Sequence, residues 1–242
     1  MPQFKVIFFN IGGTLLQLKN TTIPQLYSKH LSSLLERKID PKQVFSAFRK
    51  AENWALSRRN FYYLFSDLDQ RKYQNAFYNE LGVKGRSQIN KIEMALAELV
   101  NLDFRLEDGV KILLRKLKKD YSLGLITNWD IDLYEILDSF EIRKFFDSIT
   151  ISGEFGISKP SLEIFKSGLA DFPEIKAKNT VYVGDDYDLD IEPAQKLRMF
   201  TILYDKGPSG MHGWPKRPKV KCPRVERLQE IPMVLKKFEK LK

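Results

Sequence analysis

Two periodicities divide this chain. Near its start and over its second half, short apolar runs alternate with helical stretches; between them the spacing is helical throughout. Phe4 to Phe9 is a largely apolar run of strand length that ends in Asn10-Ile11-Gly12-Gly13-Thr14, a turn sequence. From Ile23 to about Leu102 apolar residues recur three and four apart. Leu26, Leu31, Leu34 and Leu35 mark one helix, and Val44, Phe45, Phe48, Ala51, Trp54 and Ala55 a second. Two more are predicted around Asp69–Leu81 and Ser87–Val100, with breaks at Arg58-Arg59-Asn60, Gly82 and Gly85.

From Leu106 the period alternates. Helices are predicted at Asp108–Lys118, Leu133–Phe140, Leu162–Leu169 and Val225–Leu241, and strands at Tyr121–Ile126, Ser148–Ile151 and Thr180–Val183. Pro-rich residues 207–223 are the longest irregular stretch. Short apolar strands separated by helices predict a doubly wound parallel α/β sheet covered on both faces. The expected division is an α/β core of residues 1–14 and 103–242, with a helical insert at 15–102.

In such sheets ligands sit at the carboxyl ends of the strands. Four segments fall there: the Asn10–Thr14 loop, Thr127-Asn128, the run Gly156-Ile157-Ser158-Lys159-Pro160, and Gly184-Asp185-Asp186-Tyr187-Asp188-Leu189-Asp190. Thr127, Asn128 and Gly13 can hold an anion's oxygens through hydroxyl and backbone N–H groups. Lys159 stands near a predicted helix start, where the dipole disfavours a cation, so it needs an acidic partner; Asp185 is the natural one and Asp190 the other. Four carboxylates within six residues repel one another unless a cation compensates. Asp186-x-Asp188-x-Asp190 imitates the opening of a calcium loop, but Ile191 stands where that loop needs glycine and Leu197 where it needs glutamate.

In order and spacing these segments resemble the haloacid dehalogenase (HAD) superfamily, whose motifs are an Asp-x-Asp loop, a Thr or Ser, a Lys, and a Gly-Asp acidic loop. The resemblance covers nearly the whole chain and implies a Rossmann-like core with an α-helical cap, as in the 2-haloacid dehalogenase branch. It implies that position 10 is the nucleophile, position 12 the general acid, and that Lys159 neutralises nucleophile and phosphate. Mg²⁺ would be held by position 10, the Gly12 carbonyl and Asp185, with Asp186 as a substitute ligand and Asp190 orienting Lys159 or a metal-bound water. This chain departs from the pattern at both working positions, having Asn10 and Gly12. An amide cannot form the aspartyl intermediate, and the loss of its charge weakens Mg²⁺ binding. Losing a covalent nucleophile removes on the order of 10⁴–10⁶ in rate. Losing the acid removes a further factor of about 10²–10⁴. A single Asp→Asn exchange would not account for Gly12 as well.

Charge adds a competing reading. The net charge is +9 and the pI about 9.4. The excess is split: residues 16–102 hold 14 Lys/Arg against 8 Asp/Glu and residues 204–242 hold 11 against 4, whereas residues 103–203 hold 14 against 19. The motif-bearing part is therefore acidic. Lys216, Arg217, Lys219, Lys221 and Arg224 cluster, but Pro215, Pro218 and Pro223 interrupt them. No specific nucleic-acid binding is expected, and any association should fall steeply with salt. No run approaches the roughly 20 apolar residues of a membrane span. With one cysteine, Cys222, and no visible leader, a reducing, cytoplasmic setting is expected. His30 and His212 are too few for a histidine metal site.

Three functions compete: a catalytically silent HAD-fold protein that binds a small phosphorylated or anionic ligand, or a protein partner; an active phosphatase in which Asp185 or Asp186 activates a metal-bound water; and a basic nucleic-acid-binding module.

Overall fold

The computed structural model describes residues 4–56, 67–100, 102–213, 215–216 and 219–239. It divides into two compact units, one of residues 1–17, 106–206 and 216–242, the other of residues 18–105 and 207–215.

The first unit is built on a six-stranded sheet. Its strands are β1 (Val6–Phe9), β4 (Ser122–Thr127), β5 (Ser148–Ile151), β6 (Thr180–Gly184), β7 (Phe200–Tyr204) and β8 (Arg224–Val225). They run in the order β5-β4-β1-β6-β7-β8, and the paired strands are parallel. β1 lies between β4 and β6, with Phe9 opposite both Leu125 and Val183. Every residue of β1 is buried, as a central strand covered on both faces requires. Its neighbours connect outward in opposite directions, so the strand order reverses at β1, and the ligand crevice of such sheets opens beside that reversal.

Between the strands run α5 (Val110–Leu117), α6 (Leu133–Ser139), α7 (Ser152–Phe155), α8 (Leu162–Ala170) and α9 (Glu192–Lys196), and α10 (Ile231–Glu239) closes the unit. Phe8, Ile126, Tyr182, Ile164, Phe165 and Ala194 share one apolar cluster on the sheet.

The second unit holds α1 (Ile23–Leu34), α2 (Pro41–Leu56), α3 (Asp67–Glu80) and α4 (Arg86–Leu99). Thr22 and Gln25 form a reciprocal capping box that starts α1. On α2, Val44, Ala47, Ala51 and Ala55 are buried at helical spacing. Leu31, Phe77, Tyr78, Ile89 and Ile92 belong to the same core. Tyr27 packs edge-on to Phe48 and Phe77, so it is a core aromatic of this unit. Tyr62, Tyr63, Phe65 and the break at Arg58-Arg59-Asn60 lie outside the described residues.

Predicted elements and structure differ in several places. Val225, expected to open the last helix, lies in β8, and that helix starts only at Ile231. The helical unit runs over residues 18–105 rather than 15–102. β7 was not foreseen, although Phe200-Thr-Ile-Leu-Tyr is an apolar, β-branched run. β2 (Leu16–Leu18) and β3 (Phe104–Leu106) form a separate two-stranded sheet from runs too short to announce themselves. Residues 207–215, expected in the core, group with the helices: the Ile23 N–H donates to the Met211 carbonyl at 2.8 Å, and Gly213 lies against Pro24.

Candidate functional site

β1 stops pairing at Phe9, and Asn10 is held to the strand end by its N–H, which donates to the Val183 carbonyl at 2.8 Å. The chain then folds on itself, with Leu15 and Leu16 N–H groups both donating to the Ile11 carbonyl at 2.9 Å. Gly13 takes φ 80°, a left-handed conformation that favours glycine.

The Asn10 amide is fully engaged. Its Oδ1 accepts from Lys159 Nζ at 2.9 Å and from Thr127 Oγ1 at 3.0 Å. Its Nδ2 donates to the Gly12 carbonyl at 2.8 Å and to Asp185 Oδ1 at 2.9 Å. That uses both acceptor lone pairs and both donors of an amide. The orientation follows from the partners: reversed, an NH₂ would face an ammonium, and an oxygen would face a carboxylate and a carbonyl. Thr14 Oγ1 also donates to Asp185 Oδ1, at 2.8 Å.

Lys159 is buried and pairs with buried Asp190 at 2.6 Å. Of the two carboxylates expected for it, Asp190 is the one it meets. The Tyr182 hydroxyl lies 3.3 Å from Lys159 Nζ, 3.1 Å from Asp190 Oδ1 and 2.8 Å from the Ile126 carbonyl. Burial first, then the charge and hydrogen bond of Asp190, push the Tyr182 phenol well above its ordinary pKa, so it stays protonated. Asp190 Oδ2 accepts the Asp186 N–H at 3.0 Å. Asp190, expected to orient either Lys159 or a metal-bound water, has donors on both oxygens and pairs with the lysine.

Asp186 caps a single wide turn, Tyr187–Ile191, accepting the N–H groups of Asp188 and Leu189 at 2.7 and 3.0 Å. Such widened turns recur at functional sites. Burial, then the charge of Asp190, raise the Asp186 pKa. Gly184 ends β6 directly behind Asp190: a Cβ there would stand 2.4 Å from the carboxyl carbon.

The Asn128 side chain clamps the Lys159 backbone, donating to its carbonyl at 3.0 Å and accepting its N–H at 2.7 Å. The Thr127 hydroxyl is directed to Asn10. Thr14 and Tyr182 were missed by sequence reasoning. A tyrosine in an apolar strand signals a hydroxyl that must find a partner; Thr14 carries no comparable signal.

A divalent cation does not fit these donors as they stand. The Gly12 carbonyl and Asp185 Oδ1, which would face it, both accept the Asn10 N–H groups, whereas Mg²⁺ requires about six oxygens in near-octahedral array. Among the described residues no three His, Cys, Asp or Glu side chains converge to share a metal.

The model of the haloacid dehalogenase-like hydrolase family matches residues 42–204, more than half of the chain and a region that starts after the Asn10 loop. A glyceraldehyde 3-phosphate phosphatase of Methanocaldococcus jannaschii is 43% identical over 99 residues, 40% of this chain and 43% of that protein. The corresponding phosphatase of Pyrococcus furiosus is 35% identical over 98 residues. The chain thus spans about two fifths of the length of these relatives. A Bos taurus haloacid dehalogenase-like hydrolase domain-containing protein 3 is 24% identical over 213 residues, 83% of this chain and 82% of that protein. Among solved structures, the Bacillus subtilis HAD-hydrolase YfnB, bound to magnesium, superposes with a TM-score of 0.66 at 20% identity, covering 96% of this chain and 99% of that one. A HAD phosphatase of Thermococcus onnurineus gives 0.56 at 18%, covering 96% and 98%.

Proposed function

The chain belongs to the haloacid dehalogenase-like hydrolase family, and we propose that it is a member whose covalent step is silenced. It binds a small phosphorylated or otherwise anionic ligand at the strand ends without turning it over at a hydrolase's rate. The observation that carries this reading is the Asn10 amide, whose four hydrogen-bonding positions are all satisfied at the strand end where the resemblance expects the nucleophile. An amide oxygen held by Lys159 and Thr127 has no carboxylate charge with which to attack phosphorus. Gly12 offers no proton to a leaving group. At 1.36 kcal/mol per tenfold, the missing nucleophile alone amounts to roughly 5–8 kcal/mol of barrier.

The phosphatase relatives favour a second reading, hydrolysis by a water activated at Asp185 or Asp186. A carboxyl whose pKa is raised, as at Asp186, is a candidate acid–base group. One experiment separates the two: turnover of p-nitrophenyl phosphate with Mg²⁺ by the native chain beside Asn10→Asp/Gly12→Asp. A silent native chain with an active double variant supports the first reading; comparable turnover by both supports the second. The nucleic-acid reading is the least favoured, because within the basic cluster Lys216 pairs with Glu226 and Arg224 lies 3.3 Å from Asp205. Arg217 lies outside the described residues.

A further inference from the structure

We infer that the two protons of the Asn10 side-chain NH₂ do the work of a divalent cation and close the site to Mg²⁺. Three groups converge on one point. The NH₂ lies 2.8 Å from the Gly12 carbonyl and 2.9 Å from Asp185 Oδ1, and Asp185 Oδ1 takes a further proton from Thr14. An aspartate of the same shape at position 10 would replace the NH₂ by an oxygen. Three oxygens, two of them carboxylate, would then crowd together with no proton between them, an arrangement that only a cation relieves. The amide relieves it with two N–H bonds.

Its other end matches the same design. Lys159 and Thr127 donate to the amide oxygen, so the amide is polarised along the line from the ammonium to the Asp185 carboxylate. Charge is conserved as well: compared with an Asp-x-Asp loop, Asn10 and Gly12 remove two negative charges, the amount one divalent cation neutralises. The site therefore satisfies itself by hydrogen bonds, and its ligand is recognised without metal. This inference rests on the silent-site reading but can fail separately, since an inactive chain can still bind Mg²⁺.

The test is Mg²⁺ titration of the full native chain and of Asn10→Asp, read by calorimetry and by melting temperature in EDTA or Mg²⁺. The native melting temperature should not respond to Mg²⁺. Asn10→Asp should melt below the native chain in EDTA, recover with Mg²⁺, and bind the ion roughly tenfold or more tightly than the native chain, as added ligand charge dictates. Should Asn10→Asp fail to fold, the native chain decides alone: its Asn10 Nδ2 proton resonances should be exchange-protected and unmoved by Mg²⁺. Mg²⁺ binding by the native chain with displacement of those resonances overturns the inference. So does equal Mg²⁺ affinity in the two chains, or no binding by a folded Asn10→Asp.

Discussion

Two loops leave the ends of neighbouring parallel strands and carry opposite chemistry. The loop after β1 carries Asn10 and Gly12 and no carboxylate; the loop after β6 carries Asp185, Asp186, Asp188 and Asp190. Each is nonetheless fixed by the other's atoms, through Asn10 Nδ2 and Thr14 Oγ1 on Asp185. The difference separates what backbone and framework carboxylates do from what reacting side chains do. Lys159 and Asp190 form a buried pair whose geometry does not depend on whether chemistry occurs. Position 10 supports the same hydrogen-bonded geometry with an amide, so geometry alone does not report catalysis.

The largest expected effect comes from removing the acidic loop's partner, Lys159. Lys159→Met leaves Asp190 buried without its cation and should cost about 3–5 kcal/mol in denaturant unfolding. A loss below 1 kcal/mol would mean that the pair is dispensable and that the two loops are not so different. Gly184→Ala should cost about 1–3 kcal/mol, because the new methyl overlaps the Asp190 carboxyl; an unchanged denaturation midpoint would show that the carboxyl relocates freely.

A half-buried lysine–carboxylate pair, Lys206 with buried Glu107 at 2.7 Å, gives a milder comparison from outside both loops. Burial pushes the Glu107 carboxyl up. The hydrogen bond and charge of Lys206, with the Asp108 N–H, outweigh this and hold its pKa below the ordinary value. Its contribution is therefore fully present above the unfolded-state pKa and is lost as pH falls through the lower folded value. Glu107→Gln should be about 1 kcal/mol less stable than the native chain at neutral pH, with the gap closing in acid. A gap independent of pH would refute the assignment. In the first loop, Thr14→Val removes one hydrogen bond to Asp185 and should cost about 0.5–1.5 kcal/mol by thermal unfolding. A loss as large as that of Lys159→Met would erase the contrast between the loops.

Much of this was legible in the sequence because the signals were local. β1, β4 and β6 are apolar runs closed by polar turns, and each brought its motif to the same sheet edge. The helices of the second unit followed from three- and four-residue spacing. What the sequence concealed depends on register and long-range partners. The partner of the Asn128 side chain is hidden until the segment after α7 brings the Lys159 backbone against it. Asp185 reads as the natural partner of Lys159, ahead of Asp190, until the wide turn at Tyr187–Ile191 carries Asp190 behind Gly184. The grouping of residues 207–215 with the helices hangs on contacts such as that of Ile23 with Met211, far apart along the chain.

On the reading proposed above, position 10 is the nucleophile's place and the amide silences it. The most direct measurement is acid-quenched mass spectrometry of the native chain and of Asn10→Asp after exposure to acetyl phosphate with Mg²⁺. Asn10→Asp restores the nucleophile while Gly12 still supplies no base to hydrolyse the intermediate, so a phospho-adduct should accumulate on the peptide containing residue 10. The native chain should carry none. An adduct on the native chain, or a folded Asn10→Asp that never acquires one, would contradict the account.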